Sequence, residues 1–163
     1  MTDRIETIKI IAKIGLDRLE KATKELKPEQ LDWKPFSEAN TLRWILTHEA
    51  YILHVAFPRV LLGNRDYLPE GWPDDYQGNE GYTLEKILGD IEEGRVSLME
   101  VLDGLTDESL AEEIEFAGTR TRKWMVMWMI LEIIRHEGQV AAMFSAWKQV
   151  NSEEIRFLRL VAD

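Results

Sequence analysis

Apolar side chains recur at every third or fourth position along four long stretches of the chain. In the first stretch Ile5, Ile8, Ala12, Leu16 and Leu19 keep this spacing. The period matches the 3.6-residue turn of an α-helix and predicts helices that bury one face and expose the other. The predicted helices cover approximately residues 3–26, 41–58, 83–104 and 121–149.

Short polar residues mark where two of these helices begin. We expect Asn40 or Thr41 to cap the second helix and Thr83 to cap the third, because their side-chain oxygens can accept hydrogen bonds from the free N–H groups of a first turn. Pro58 is expected to kink or end the second helix, since proline cannot donate a backbone hydrogen bond. The third helix is expected to end near Gly104.

The connection between the second and third helices, residues 63–82, contains four glycines and two prolines and has no helical period. Two hypotheses account for a loop of this length. It is a lid over a pocket, or it is a surface segment held in place by Tyr67, Trp72 and Tyr76. The connection before the fourth helix begins like a helical turn and then predicts a hairpin with Gly118 in its bend.

Four long amphipathic helices without a convincing strand ladder predict an all-α protein, a four-helix bundle. Asn151 or Ser152 is expected to cap a short extra C-terminal helix. At 163 residues the chain has the length of one domain, so we expect residues 1–163 to form a single domain around one core.

Composition excludes several classes of function. The chain has no cysteine, so any metal site must use nitrogen and oxygen ligands. Its formal net charge is -10, from 30 acidic and 20 basic residues, which opposes binding to nucleic acid or to anionic membrane. The longest apolar stretches are about half of the ~20 residues that cross a bilayer. We therefore expect a soluble, cytoplasmic protein that binds neither nucleic acid nor membrane.

Glu132 is the only polar residue between Trp124 and Ile134, and His136 follows it by one helical turn. Placing a carboxylate in an apolar core without a partner costs several kcal/mol, so we expect a partner for Glu132. Residues at i and i+4 project side by side, and His48 on the second helix could complete a set of two imidazoles and one carboxylate. These three residues predict a divalent-metal site with positions open for water or substrate.

A metal-free arrangement is an alternative of about equal weight, in which Glu132 forms a buried ion pair with His48 or Arg135. His54 lies six positions beyond His48, on another side of the helix, and we assign it no role. The sequence contains no glycine-rich phosphate loop and no Gly-x-Ser-x-Gly elbow.

Several of these features together resemble a known family. They are a Trp-x-Pro connector at Trp33 and Pro35, the helix TLRWILTHEA with His48, and the helix ending RHEGQVAAMF. Nearly the whole chain resembles the DinB/YfiT-like four-helix-bundle superfamily, in which a second-helix histidine and a His-x-x-x-His-Arg-Gly-Gln motif hold a divalent metal. His136 matches the last histidine of that motif, but Glu132 replaces its first histidine and Glu137 its arginine.

The resemblance implies a metal centre of His48, Glu132 and His136 that holds Zn, Ni or Fe. It also implies a metal-dependent hydrolase or an S-transferase that uses a low-molecular-weight thiol cofactor, and a homodimer. Tyr51, Trp128, Arg135 and Gln139 are the expected substrate-binding residues. Gly138, which matches the motif, is expected to allow close helix packing. The competing hypothesis is a non-catalytic bundle with a vestigial site, acting in self-association or partner binding.

Overall fold

The computed structural model describes residues 4–116 and 118–152. The regular structure of these residues consists of six α-helices, a short 3-10 helix at Pro28–Gln30, a π-helical turn at Ile52–Ala56 and one two-stranded hairpin. The α-helices and strands are α1 (Arg4–Thr23), α2 (Leu42–Tyr51), α3 (Phe57–Leu62), α4 (Leu84–Asp103), α5 (Asp107–Ala111), β1 (Glu113–Glu115), β2 (Thr119–Thr121) and α6 (Arg122–Val150). The expected C-terminal helix falls mostly outside the described residues.

The helices form a closed bundle of four arms: α1, α2 together with α3, α4, and α6. This arrangement confirms the predicted all-α fold. α1 packs on α6 and α4, and α2 packs on the same two helices, so each arm has two neighbours. The shared core is apolar and fully enclosed, with Ala12, Leu46, Ile87 and Ile130 all at 0% exposure. Burial of these faces against each other, rather than helix propensity alone, stabilises helices of this length.

The predicted helix starts are confirmed at atomic detail. Thr41 accepts a hydrogen bond from the Trp44 N–H, and Thr83 accepts one from the Lys86 N–H. Thr121 does the same for the first turn of α6. Each bond satisfies a donor that the helix itself leaves free.

Helix α2 continues into α3 through a π-helical turn, Ile52–Ala56, instead of ending at Pro58. The Phe57 N–H donates to the Ile52 carbonyl five residues earlier, which is a wider turn than the α-helix uses. Pro58 then occupies the first turn of α3, where a missing N–H is tolerated. The arm ends at Gly63, whose φ of 63° is a left-handed conformation that favours glycine.

Two glycines let the helices approach closely, and neither is Gly138. A Cβ on Gly94 of α4 would lie 2.7 Å from the Leu53 Cβ, and one on Gly15 of α1 would lie 3.0 Å from Ile134 Cγ1. The expectation for Gly138 was wrong, because it is exposed and nothing lies within 4 Å of an added Cβ.

The connection over residues 63–82 is packed against the bundle, as the second hypothesis for it predicts. Tyr76 is 2% exposed, and its hydroxyl donates to the carboxylate of Asp90 on α4. The Gly78 N–H donates to Thr47 Oγ1 at 2.8 Å, which ties the end of the segment to α2. In the part of the chain that the structure describes, no helix is long and apolar enough to cross a membrane.

Candidate metal centre

Helix α2 holds His48 in a stack of rings on its own surface. The His48 ring lies 4.9 Å from the Trp44 ring and 6.2 Å from the Tyr51 ring, nearly parallel to both. These residues are one helical turn before and after it, so the α-helical repeat creates the stack. The side-chain oxygen of Gln77, from the connection over residues 63–82, lies 3.2 Å from His48 Nδ1. That contact leaves His48 Nε2 as the remaining nitrogen for a ligand.

Helix α6 holds His136 in the core, with only 2% of the residue exposed. Its Nδ1 donates a hydrogen bond to Gln139 Oε1 at 2.8 Å, because an amide oxygen can only accept. The neutral ring then carries its proton on Nδ1 and has a lone pair on Nε2. Arg135 donates to this lone pair, with its guanidinium nitrogen 3.2 Å from Nε2.

The two histidines meet between α2 and α6. Their ring centroids are 4.9 Å apart and their planes are nearly perpendicular. Burial is the main cause that lowers the pKa of each imidazole, and the positive charge of Arg135 lowers both further. Both rings are therefore neutral at pH 7, which is the form that coordinates metals.

Glu132 does not lie in a fully apolar environment, so that part of the sequence analysis was wrong. Its side chain is 23% exposed, and its Oε2 forms an ion pair with Arg135 at 2.5 Å. The same oxygen lies 3.8 Å from His136 Nε2. Of the two partners considered in the metal-free alternative, the structure has Arg135 paired with Glu132.

The structure therefore brings the predicted ligands to one place but does not arrange them around an ion. Within residues 4–116 and 118–152, no group of three or more His, Asp or Glu side chains has the arrangement of an ion site. The guanidinium of Arg135 stands against both Glu132 and His136. Because the Arg135 side chain is 56% exposed, it can turn into solvent without crossing the core.

Glu49, a fully buried acid near the candidate metal centre, was not identified from the sequence. Glu49 follows His48 in α2 and is 0% exposed. Neither Oε1 nor Oε2 has a hydrogen-bond partner. Burial raises the pKa of Glu49 to about 8, and the negative charge of Glu132 adds to the increase while Arg135 opposes it. At neutral pH the carboxyl is mostly protonated as long as no cation is nearby.

Three of the four predicted substrate-binding residues, Tyr51, Arg135 and Gln139, contact one of the two histidines. Tyr51 stacks on His48, and its hydroxyl accepts a hydrogen bond from Arg59 at 3.2 Å. Arg135 and Gln139 contact His136 directly. Trp128 lies one turn before Glu132, is 42% exposed and is stacked on the neighbouring Trp124. Tyr51, Arg135 and Gln139 can therefore contact a small molecule beside the histidines, whereas Trp128 lies about two helical turns before His136.

His54 belongs to a separate aromatic cluster, as its position on another side of the helix from His48 predicts. Its Nε2 donates to the backbone carbonyl of Asp90 at 2.6 Å, and its ring stacks on Trp72. The rings of Tyr76 and Tyr82 continue the cluster at centroid distances of 4.7 Å. A cleft of about 480 Å³ borders these four rings.

The sequence of residues 13–140 matches the family described as the DinB superfamily. The chain belongs to the DinB superfamily. The matched region contains His48, Glu132 and His136. No curated protein matches the chain.

Two solved structures share the DinB fold with this chain. One is a DinB-like protein, YjoA, from Bacillus subtilis, with a TM-score of 0.70 and 13% identity over 90% of this chain and 94% of that one. The other is a conserved protein from Enterococcus faecalis, with a TM-score of 0.64 and 15% identity over 90% of this chain and 98% of that one. At these identities the similarity establishes the fold alone.

Proposed function

We propose that this DinB-superfamily protein is a divalent-metal-dependent enzyme of the hydrolase or low-molecular-weight-thiol S-transferase type, in which His48, Glu132 and His136 bind Zn, Ni or Fe. The observation that carries the proposal is the pair of neutral imidazoles from different helices, 4.9 Å apart, with Glu132 one turn from His136. Two imidazoles and one carboxylate are a donor set that catalytic zinc and non-haem iron sites use.

The residues present fit such an ion. His136 offers Nε2 as a lone pair because Gln139 holds its proton on Nδ1, an outer-shell arrangement typical of metal-binding histidines. Loading requires Arg135 to leave Glu132 and His136, and its exposure permits this movement. The chemistry supplied there, when an ion is bound, is Lewis-acid activation of a water or thiol near neutral pH. Tyr51, Trp128 and the displaced Arg135 then orient a small substrate at the mouth of the site.

Metal content tests the proposal. The metal-free protein is loaded separately with Zn²⁺, Ni²⁺ and Fe²⁺, and bound metal is counted by mass spectrometry after gel filtration. We expect one ion per chain, lost in Glu132→Ala and His136→Ala. His54→Asn is the matched control, because it alters the one histidine that lies in the other cluster. Hydrolase and thiol-transfer assays on the loaded protein follow, and absence of bound metal under all loading conditions would refute the proposal.

The second candidate is a non-catalytic bundle that self-associates, and it is favoured by the metal-free ion pair between Glu132 and Arg135. A stripe of exposed apolar side chains on α6 is a surface for a second copy: Trp124 is 51% exposed, Trp128 42% and Leu131 55%. Exposed apolar patches of this kind are typical of interaction sites.

Sedimentation analysis tests self-association. We expect a homodimer that Leu131→Glu dissociates. Val96→Glu, on α4 and similarly exposed at 50%, is the matched control and should leave the dimer intact. A monomer at all concentrations contradicts this candidate, and a dimer that also binds stoichiometric metal is compatible with the enzyme.

A further inference from the structure

Glu49 is the buried acid without a partner in the part of the chain that the structure describes. Both of its oxygens are enclosed and neither accepts a hydrogen bond. The other buried acids have a charged or polar partner: Asp90 accepts from the Tyr76 hydroxyl, and Glu137 Oε2, which accepts no hydrogen bond, forms an ion pair with Arg18 at 2.9 Å. An orphaned buried polar group requires an explanation, and a ligand absent from the coordinates is one of the few available.

The position of Glu49 points to the candidate metal centre. It is adjacent to His48 in α2, in the arc that buries Ile45 and Leu53 one turn before and after it. The charges that act on it electrostatically are those of Glu132 and Arg135, both on α6 beside His136. Glu49 therefore lies on the buried side of α2, close enough to α6 to be affected by the charges of Glu132 and Arg135.

The charge balance of this region favours a cation. Arg135 compensates Glu132, but no cationic side chain contacts Glu49. Enclosing a second carboxylate there costs several kcal/mol, and a divalent cation offsets that cost because it neutralises two carboxylates at once. Two uncharged imidazoles and two acids supply donor types that such an ion accepts.

We propose that Glu49 is a fourth protein ligand of the same ion, so that the centre consists of two histidines and two glutamates. This inference rests on the proposed metal centre and extends it. Oxygen donors suit harder cations, so Glu49 raises the relative affinity for Mn²⁺ and Fe²⁺ over that for Ni²⁺ and Zn²⁺. Glu49 also fills one more coordination position and leaves fewer for substrate.

The test compares metal affinity in the wild-type protein, Glu49→Gln and Glu137→Gln. Glutamine keeps the size of the side chain and removes its charge, and Glu137 is a second buried glutamate next to His136. Dissociation constants for Mn²⁺ and Ni²⁺ are measured at pH 7 by competition with a chromophoric chelator. Circular dichroism confirms that each variant is folded.

Loss of an outer-shell partner weakens metal affinity by roughly 10- to 100-fold. We expect Glu49→Gln to raise the dissociation constant for Mn²⁺ by more than this, and to raise the constant for Ni²⁺ by a smaller factor. Glu137→Gln should change both constants by less than about threefold, because a group that does not touch the ion acts only weakly on it. The visible spectrum of the Co²⁺-loaded protein should also change in Glu49→Gln, since one ligand is replaced.

Two outcomes overturn the inference, and they separate it from the proposed function. If the wild type binds metal and His136→Ala abolishes binding, but Glu49→Gln keeps the wild-type Mn²⁺ affinity and Co²⁺ spectrum, Glu49 is not a ligand and the centre of three residues stands. If the wild type binds no ion, both proposals fail together. Glu49→Asp gives a further check, because a carboxylate that is one methylene shorter should restore the Co²⁺ spectrum only in part.

Discussion

In the metal-free protein, Glu49→Gln should increase stability at neutral pH and change it by less than about 1 kcal/mol at pH 5. The pKa of Glu49 rises from 4.5 to about 8 in the folded chain because the carboxyl is buried. Between these values the unfolded chain has released its proton while the folded chain still holds it. Stability therefore falls as the pH rises through this range, and it is highest below pH 4.5 as far as this group is concerned.

The magnitude follows from the shift. At 1.36 kcal/mol per pKa unit, the wild type loses about 3 kcal/mol at pH 7 relative to a protein without this acid. The loss approaches about 5 kcal/mol above pH 8, which is an upper bound. Glutamine has the same shape as the protonated acid and cannot ionise, so the variant avoids the loss. For a chain of this length, 3 kcal/mol corresponds to an increase in melting temperature of roughly 6–12 °C.

The assay is urea unfolding of wild type and Glu49→Gln at several values between pH 5 and pH 8, in the presence of a chelator. Glu100→Gln, on the exposed face of α4, reports what the loss of one negative charge does by itself. The reasoning is refuted if the difference in unfolding free energy between wild type and Glu49→Gln is the same at pH 5 and pH 8. Added metal should reverse the order of stability if Glu49 is a ligand.

Two further predictions concern the bundle. Gly94→Ala should destabilise the protein by about 1–3 kcal/mol in thermal unfolding, because the new Cβ would lie 2.7 Å from the Leu53 Cβ. Gly89→Ala on the same helix is the control: nothing lies within 4 Å of its new Cβ, so it should stabilise the protein by up to about 1 kcal/mol. Equal effects of the two substitutions would contradict the close approach of α4 to the second arm. Thr121→Ala should cost about 1 kcal/mol in urea unfolding, since the Trp124 N–H loses its cap, and Thr121→Ser should recover most of that loss.

The sequence predicted the helices well because their signals are local. Thr41 and Thr83 cap helices through bonds that span three residues, and the apolar period of each helix is visible in its own residues. The π-turn before Pro58 was not predictable, since it depends on how the second arm packs against α4 near Gly94.

The candidate site was only partly predictable, because a residue whose sequence neighbours are apolar is not necessarily buried in the folded protein. The residues around Glu132 are apolar on every side of α6, yet Trp128 and Leu131 face outward, so Glu132 reaches solvent and Arg135. Glu49 escaped notice because it follows His48 in a segment with other polar residues. Its spacing from Ile45 and Leu53 was a signal that it lies on the buried face.

The π-helical turn at Ile52–Ala56 changes which side chains of α3 face the core, compared with a regular continuation of α2. A regular α-helix advances ~100° per residue, and a wide turn accommodates one extra residue, so the side chains after Ala56 are rotated by about that angle from where an unbroken helix would place them. Deleting Val55 would remove the extra residue and restore regular winding, and Phe57 and Val60 would keep facing the core. The location of the histidine pair and the packing of the arm beyond it are thus set by independent parts of one continuous helix.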